Sequence, residues 1–427
     1  MRDKHRQIVE IPFGKESHKL GIPRAQLREV LSPNVFEPPD DGRRMIEHAL
    51  AHPIGTTRLS EFVRRGHRVA ILSEDNSRFA RTDLMIEAVT AELNAAGVPD
   101  GDITVVMALG SHRKMTQTEI IQKLGKGVTS RFTCVNSEFR NPDLLVNVGT
   151  APGNVEVLLD RRVAEADVRI GVGSIVPHPA LGYTGGAKIL YPGVVGEQTV
   201  AQLHLRAALV GRNIMGVVEN PVRIEMESWV GTIGLDFIVN SVVNQQNETC
   251  KVVAGDYVKA HRAGVTHARR IYEVQATHAV DLLIASSHTA DLDLWQATKA
   301  IIAGERIVKD GGTLLLYTPC SEGVGPHADF TRYCGTEDIP SLLAEAHHGR
   351  VAADQVLPLS VGALVAQVRK RTKAAIVSPG ITPADAHIAG FCHMGTSLND
   401  LQKAIDTTPT TTSISVLTHG GECFAVL

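Results

Sequence analysis

Short apolar runs alternate with amphipathic stretches along most of this chain. Runs of this length suit strands that are buried on both faces, and the stretches between them suit helices. Strands that alternate with helices form mostly parallel sheets. The alternation therefore predicts an α/β protein. The predicted strands are residues 68–73, 103–109, 168–173, 280–285, 313–317, 374–378 and 413–417.

The length of the chain predicts more than one domain. At 427 residues, it exceeds what one hydrophobic core usually organises. We expect an N-terminal cofactor-binding catalytic domain over residues 1–265 and a C-terminal substrate-closing domain over residues 278–427. Each has a mostly parallel sheet flanked by helices, the last strand can pack back on the first domain, and the site lies in the cleft. The polar stretch 257–277 is expected to connect the domains, and residues 1–60 receive no assignment.

Helix boundaries follow from capping residues. Thr82 is expected to cap a helix that ends before Gly97. Thr116 and Glu119 form a capping box for the next helix, which Gly125 is expected to end. Further helices are predicted over residues 197–209 and 294–308.

Composition excludes several classes of protein. The net charge of −3 argues against a nucleic-acid partner. No apolar run approaches ~20 residues, so no membrane span is expected. The charged start at residues 1–6 lacks the apolar segment of a signal peptide. The six cysteines form no Cys-x-x-Cys pair, which argues against a disulfide framework and a cysteine zinc site. We therefore expect a cytoplasmic protein.

Polar side chains follow three of the predicted strands. Asp75 and Arg78 follow the first, His112 follows the second, and His178 follows the third. Ligands of parallel sheets collect beyond the carboxyl ends of the strands. We therefore expect these side chains to share one site. Histidine suits proton transfer there, because its ordinary pKa is about 6.5.

Each candidate residue in a loop also has a structural interpretation. His112 and His178 can be ordinary loop residues, and Asp75 can pair with Arg78 to stabilise a turn. Lys188 can be a surface lysine in a loop punctuated by glycine and proline.

The candidates on predicted helices have structural interpretations as well. His204 can be a core histidine whose hydrogen bonds are satisfied within the fold. Gln296 and Lys299 lie one helical turn apart, so they can belong to a solvated helix face.

Taken together, these residues resemble the lactate racemase family, whose members use a nickel-pincer nucleotide. The resemblance rests on motifs that occur in the family's order. They are Asp75-Asn76-Ser77-Arg78, Gly110-Ser111-His112-Arg113, the loop from Pro177-His178 to Gly185-Gly186-Ala187-Lys188, His204 in a helix, and Trp295-Gln296 followed by Lys299.

The resemblance implies a role for each residue. His112 and His178 are the two general acid/bases, and Lys188 attaches the cofactor covalently. His204 is the nickel ligand, which agrees with the affinity of imidazole for nickel. Arg78, Gln296, Lys299 and Trp295 bind the substrate. Asp75 belongs to the cofactor site and orients Arg78 or a histidine. Spacing alone adds Thr184, Gly185 and Gly186 as donors to a phosphate.

Two departures from the family concern the substrate pocket. Phe79 follows Arg78 where the family has proline, and the tryptophans Trp229 and Trp295 leave no counterpart for a second tryptophan that lactate-acting members bring to the substrate. We therefore expect a pocket shaped differently from that for lactate. Phe391 and Met394 are candidates to line it.

The expected function is racemisation or epimerisation of a 2-hydroxy acid, with lactate one candidate. Other proteins must supply the cofactor, and the oligomeric state stays open. One alternative is an NAD-dependent dehydrogenase, although the turn at Gly171 and Gly173 lacks the third glycine of the dinucleotide motif. Another is a non-catalytic protein that binds the cofactor or a carboxylate, for which two bases would be superfluous.

Overall fold

The computed structural model describes residues 5–151 and 154–427. The expected lack of a signal peptide concerns residues 1–6, of which residues 1–4 lie outside the described part. Within the described ranges, no helix is long and apolar enough to cross a membrane.

The strands follow the predicted runs closely and add several in unassigned regions. In chain order they are β1 (Arg6–Phe13), β2 (Glu16–Pro23), β3 (Leu27–Leu31), β4 (Val69–Glu74), β5 (Ile103–Ala108), β6 (Thr133–Asn136), β7 (Leu145–Ala151), β8 (Val155–Asp160), β9 (Val168–Ser174), β10 (Pro177–His178), β11 (Gly182–Tyr183), β12 (Phe237–Val243), β13 (Thr249–Gly255), β14 (Glu273–Gln275), β15 (Val280–Ser286), β16 (Val308–Tyr317), β17 (Lys373–Val377), β18 (Cys392–Gly395), β19 (Ile414–Leu417) and β20 (Phe424–Val426).

The helices lie between and beside these strands. They are α1 (Gly42–Ala51), α2 (Leu59–Phe62), α3 (Thr82–Ala95), α4 (Gln117–Arg131), α5 (Arg161–Ala164), α6 (Glu197–Leu209), α7 (Pro221–Ile233), α8 (Lys259–Tyr272), α9 (Leu294–Ala297), α10 (Lys299–Gly304), α11 (Phe330–Gly335), α12 (Ile339–His347), α13 (Ala353–Arg369), α14 (Pro383–Ile388) and α15 (Leu398–Asp406). Short 3₁₀ turns occur at Gly186–Ile189 and Glu305–Ile307, among others.

Two six-stranded sheets form the framework. The first sheet has the order β13-β12-β9-β4-β5-β6, and the second sheet has the order β18-β17-β16-β15-β19-β3. In the first sheet only β13 runs antiparallel to its neighbour. The second sheet is parallel throughout. Every residue of β4 is buried, as a strand covered on both faces requires. The predicted α/β class with mostly parallel sheets is confirmed.

The two sheets share apolar packing. Leu72 and Val106 of the first sheet and Leu314 and Leu316 of the second belong to one continuous cluster of buried side chains. Strand β3, from the N-terminal part of the chain, pairs with β19 in the second sheet. Strand β20, near the C-terminus, pairs with β14. The division of the chain at residues 265 and 278 stays a prediction.

Several boundaries differ from those predicted. Thr82 does not cap α3, because it is the first helical residue and its hydroxyl is buried inside the protein. The capping box of Thr116 and Glu119 is confirmed. Gly125, at a φ of 74°, has a non-helical backbone that interrupts α4, as predicted, and a second helical segment follows it to Arg131.

The later part of the chain brings two further differences. The helix predicted over residues 294–308 is broken at Thr298 into α9 and α10, and the 3₁₀ turn Glu305–Ile307 completes it. The expected linker over residues 257–277 is largely the helix α8. The many basic residues of α8 suggested a solvated segment, but one face of the helix is apolar and buried, including Val265 and Ala268.

A buried ion pair fixes the end of β4. The Glu74 carboxylate lies 2.9 Å from Lys123 Nζ, and both side chains are 8% exposed. Glu74 also accepts hydrogen bonds from the backbone N–H and the hydroxyl of Ser174, each at 2.6 Å. The pair therefore connects the ends of β4 and β9 to α4.

We predict that Lys123→Met lowers the free energy of unfolding by about 3 kcal/mol, because a buried carboxylate would lose its counter-ion. Lys114→Met is the matched control, since Lys114 pairs with Glu138 but is 62% exposed. That change should cost less than about 1 kcal/mol. Urea unfolding measures both, and equal losses would contradict the importance of the buried pair.

Candidate active site

The carboxyl ends of β4 and β5 bring Asp75 and His112 together. Residues after neighbouring parallel strands meet at one sheet edge, and Gly110, at a φ of 56°, turns the chain there. Asp75 Oδ2 lies 2.5 Å from His112 Nδ1. Asp75 Oδ1 accepts the Ser77 hydroxyl at 2.5 Å and the Ser77 N–H at 3.0 Å. Asp75 therefore orients the histidine rather than pairing with Arg78.

The second ring nitrogen of His112 meets α9. Lys299 Nζ donates to Gln296 Oε1, which fixes the orientation of the Gln296 amide. Gln296 Nε2 then lies 3.0 Å from His112 Nε2 and donates to it. Because Asp75 is ionised, Nδ1 of His112 carries the proton and Nε2 carries a lone pair. A hydrogen-bonded chain thus runs from Asp75 through His112 and Gln296 to Lys299.

The charge of Asp75 is well supported. Burial alone would raise the pKa of this carboxyl, but the interactions with His112, Ser77 and Arg78 outweigh it and hold the pKa far below its usual range. Asp75 is therefore an acceptor over the whole ordinary pH range.

The loop that follows β9 is buried, which excludes an ordinary surface loop. His178 is only 9% exposed and lies in β10, which pairs with β11. The Ala180 N–H donates to His178 Nδ1 at 3.2 Å, so Nε2 carries the proton in the neutral ring. Burial, with the nearby cations Lys188, Lys299 and Arg78, lowers the pKa of His178 well below its ordinary value.

Hydrogen bonds from buried polar groups stabilise this loop. The fully buried Arg223 donates to the carbonyl oxygens of Leu181, at 2.9 Å, and Tyr183. The Thr184 hydroxyl donates to the Ser174 carbonyl at 2.8 Å, and the Gly186 N–H donates to Asn240 Oδ1 at 2.8 Å. The Thr184 hydroxyl and the Gly186 N–H are thus engaged in the fold of the loop itself.

Lys188 lies in the 3₁₀ turn Gly186–Ile189 and lines the same cavity as the histidines. Burial and the positive charge of Arg78 lower the pKa of its amine to about 8. At neutral pH a larger share of this amine is therefore uncharged than for an ordinary lysine, which makes it a better nucleophile.

His204 lies on α6 and turns one nitrogen inward. Its Nδ1 donates to the Val200 carbonyl at 2.9 Å, which leaves the lone pair on Nε2. Burial lowers the pKa of His204 to about 4, so the ring is neutral near pH 7. A neutral imidazole whose other nitrogen is fixed by a carbonyl suits a metal ligand. In the described part of the chain, no group of three or more His, Cys, Asp or Glu residues is arranged to hold a metal ion. A metal here would therefore take its other donors from a cofactor.

One cavity of about 110 Å³, the inner cavity, gathers almost all the predicted site residues. Gly186 is the predicted residue that does not line it. The lining includes Asp75, Arg78, His112, His178, Thr184, Gly185, Lys188, His204, Trp295, Gln296 and Lys299. Convergence of cationic, imidazole and amide groups in one concave site is typical of an active site.

The apolar wall differs from the predicted one. Phe391 is buried elsewhere, Met394 is exposed, and neither lines the inner cavity. The wall comes instead from Val200, Ile302, Val361 and Leu364. These residues lie on α6, α10 and α13, whose mutual packing could not be read from sequence.

Two polar residues near the site carry no motif that would single them out. Glu74 directly precedes Asp75 at the end of a buried strand, and that position was the sign in the sequence that could have identified it. His327 packs against Trp295 with ring centroids 4.7 Å apart. Its Nε2 lies 3.0 Å from the Ser111 carbonyl, next to His112. No local pattern marks His327, since its contacts depend on the tertiary fold.

Comparisons with known proteins find relatives that share one name. The sequence profile of the lactate racemase N-terminal domain matches residues 13–215. A lactate racemase of Thermoanaerobacterium thermosaccharolyticum is 26% identical over 357 residues, which are 82% of this chain and 83% of that protein. A lactate racemase of Lactiplantibacillus plantarum is 26% identical over 305 residues, or 70% of this chain and 72% of that protein. Residues 13–215 thus match the lactate racemase family, and the similarity to lactate racemases indicates an isomerase.

Solved structures share the fold. The lactate racemase apoprotein from T. thermosaccharolyticum has a TM-score of 0.83 at 24% identity, over 98% of this chain and 100% of that one. A protein from Thermotoga maritima has a TM-score of 0.72 at 20% identity, over 92% of this chain and 99% of that one.

We predict that Asp75→Asn changes the tautomer of His112. The amide can donate to Nδ1, so the proton should move to Nε2. Nitrogen-15 NMR of histidine-labelled protein distinguishes the two ring forms. Asp83→Asn, a change of the same kind in α3 outside the cavity, should leave the His112 signals unchanged. Retention of the Nδ1 proton in the Asp75→Asn protein would contradict the assignment.

Proposed function

We propose that this protein inverts the C2 centre of a 2-hydroxy acid with the help of a nickel-pincer nucleotide. The observation that carries the proposal is the meeting of His112, His178, Lys188 and His204 in one cavity. The hydrogen bonds of His112 leave a lone pair on Nε2, and the lowered pKa values of Lys188 and His204 suit covalent attachment and metal ligation. The names of the family's relatives support a racemase, and the substrate and cofactor are part of the proposal.

Inversion needs two imidazoles. One would take the proton of the substrate hydroxyl, and the other would return a proton to the same oxygen when the C2 centre has the opposite configuration. His112 suits the first role for one enantiomer, because Nε2 carries a lone pair, which accepts from the Gln296 amide in the protein alone and would accept from the substrate hydroxyl in its place. General acid–base help of this kind is typically worth about 10²–10⁴-fold in rate.

For the second role, His178 must hold two ring protons. The cations Lys188, Lys299 and Arg78 oppose this in the protein alone. A substrate carboxylate bound beside Arg78 and Lys299 would offset part of their charge and so favour protonation of His178. Substrate binding would thereby prepare the acid that the reaction needs.

Arg78, Lys299 and Gln296 are the groups that we assign to the carboxylate and hydroxyl of the substrate. In the described part of the chain, the hydrogen bonds of Arg78 come from Nη1, which donates to the Ser77 carbonyl at 2.8 Å and to the Ser77 hydroxyl at 3.3 Å. The rest of the guanidinium can bind a carboxylate. Trp295 would close the pocket beside them.

The residues present fit the cofactor. Lys188 offers an amine of lowered pKa for covalent attachment, and His204 offers Nε2 to nickel. Asp75 supports the site through His112, and the backbone at Gly185 borders it. When bound, the cofactor supplies a carbon that accepts the C2 hydrogen as hydride and gives it back. Proteins that make the cofactor are implied partners, and a cytoplasmic location stays a prediction.

The dehydrogenase alternative finds less support in the fold. A dinucleotide motif requires a helix directly after the glycine turn, because the pyrophosphate binds at the helix N-terminus. Here β9 ends at Ser174 and leads into β10 and the buried loop. The glycines at 171 and 173 instead allow close packing, since a Cβ at Gly171 would lie 2.5 Å from Ile189 Cγ2.

Attachment at Lys188 can be tested by mass. The protein co-expressed with cofactor-making enzymes should carry one adduct, and peptide mapping should place it on Lys188. Lys188→Ala should remove the adduct, whereas Lys114→Ala, at an exposed lysine, should keep it. An adduct on any other lysine would refute the assignment.

The nickel ligand can be tested by metal analysis. His204→Ala should reduce nickel retention together with racemase activity, because the lone pair of Nε2 is lost. His419→Ala is the control, since it removes a histidine of similarly lowered pKa, about 4, that does not line the inner cavity. Thermal unfolding of both variants separates metal loss from misfolding. Undiminished nickel in folded His204→Ala protein would rule out the ligand role.

A further inference from the structure

A larger cavity adjoins the inner cavity. This outer cavity has a volume of about 930 Å³, against about 110 Å³ for the inner one. The turn between β1 and β2, residues 288–293 and residues 319–326 contribute to its walls. The two cavities share Asp75, Ser77, Arg78, His112 and Gln296. Of the proposed substrate-binding residues, Arg78 and Gln296 therefore lie at the junction of the two cavities, and Lys299 and Trp295 line the inner cavity alone.

Because Arg78 and Gln296 lie at the junction, the rest of a bound substrate has two cavities into which it can extend. With its carboxylate and hydroxyl held near Arg78 and Gln296, the C3 substituent can extend inward or outward. The inner cavity is lined by Lys188, His178 and His204, which we assign to the cofactor and the reaction. The outer cavity is the larger of the two, so the C3 substituent should extend into it.

Several polar groups of the outer cavity are engaged in hydrogen bonds within the protein. Arg113 donates to Glu119 and to Glu322, with N–O distances of 2.8 and 3.1 Å. Asp291 accepts the Gly14 N–H at 3.2 Å, and Asp293 accepts the Gln296 N–H at 2.7 Å. These internal hydrogen bonds occupy part of the polar groups that hydroxyls of a sugar acid would need.

The charge of the outer cavity also selects against a second carboxylate. Its lining contains the carboxylates of Glu16, Asp75, Glu119, Asp291, Asp293 and Glu322, but only Lys15, Arg78 and Arg113 as Lys or Arg residues. Arg78 is assigned to the first carboxylate of the substrate. A dicarboxylate would therefore place its second charge among an excess of like charges.

Two large apolar side chains line the same cavity and remain accessible. Phe79 is 40% exposed and Leu292 is 39% exposed. Pro12, Ala290, Pro319 and Pro326 extend this apolar surface. Accessible apolar surface gathered in a cavity beside a polar anchor is typical of a ligand site. Phe79 directly follows Arg78, so the apolar surface begins next to the carboxylate anchor.

We infer that Phe79 and Leu292 bind the C3 substituent of the substrate, and that the substrate is a 2-hydroxy acid with an aromatic or branched aliphatic side chain. This inference rests on the proposed function and names the substrate class of the same site. It distinguishes that class from lactate, from 2-hydroxy dicarboxylic acids and from sugar acids.

The test uses the nickel-loaded enzyme with single enantiomers of phenyllactate, 2-hydroxyisocaproate, lactate, malate and gluconate. Inversion is followed by chiral chromatography, and calorimetric titration of the same acids gives their dissociation constants. Phenyllactate or 2-hydroxyisocaproate should have the highest kcat/KM. Phe79→Ala and Leu292→Ala should each lower that kcat/KM by about tenfold or more and weaken binding, because apolar contact in the pocket is lost. Both should change lactate turnover by much less.

Leu144→Ala is the matched control, because Leu144 is also 39% exposed and lies outside both cavities. It should leave the order of the acids unchanged. Lactate, malate or gluconate as the best substrate would overturn the inference but leave the proposed function intact. So would equal effects of Leu292→Ala and Leu144→Ala. Failure of the loaded enzyme to invert any of these acids would overturn both.

Discussion

The hydrogen-bonded chain from Asp75 through His112 and Gln296 to Lys299 is the interaction on which the site depends. It joins a turn of the first sheet to α9 beside the second sheet, since His112 and Gln296 are 184 positions apart in sequence. It also fixes the proton of His112 on Nδ1. Arg113 with Glu322, and His327 with the Ser111 carbonyl, connect the same turn to the same part of the protein. The position of His112 thus depends on contacts with residues that are distant in sequence.

Beside these hydrogen-bonded residues, buried positive charge lowers the pKa values of groups in the inner cavity. Arg78, Lys188 and Lys299 lie close enough that burial and their mutual repulsion lower the pKa of both lysines. Such an arrangement costs stability unless an anion binds. The ion pair of Glu74 with Lys123 and the buried Arg223 help to hold the strand ends and the loop against this cost. This positive charge supports the proposed carboxylate substrate.

The residues at the carboxyl ends of the strands were the part of the site that the sequence predicted best. Parallel strands must end at one edge, so Asp75, His112 and His178 were expected to meet, and they do. The resemblance to lactate racemases supplied roles that no local pattern gives. The break at Thr298 and the burial of α8 were missed, because helical periodicity and charge do not reveal which face a distant element covers. For the same reason, the packing of the β1–β2 turn against the site, the contacts of His327, and the apolar wall from α10 and α13 could not be predicted.

The fate of the C2 hydrogen tests the central claim most directly. The nickel-loaded enzyme is given one enantiomer of its best 2-hydroxy acid in deuterium oxide, and the inverted product is examined by mass spectrometry and proton NMR. If the hydrogen leaves and returns as hydride while His112 and His178 handle only the hydroxyl proton, the product keeps protium at C2. Deuterium at C2 of the inverted product would mean that a base removes this hydrogen as a proton, which would contradict the account.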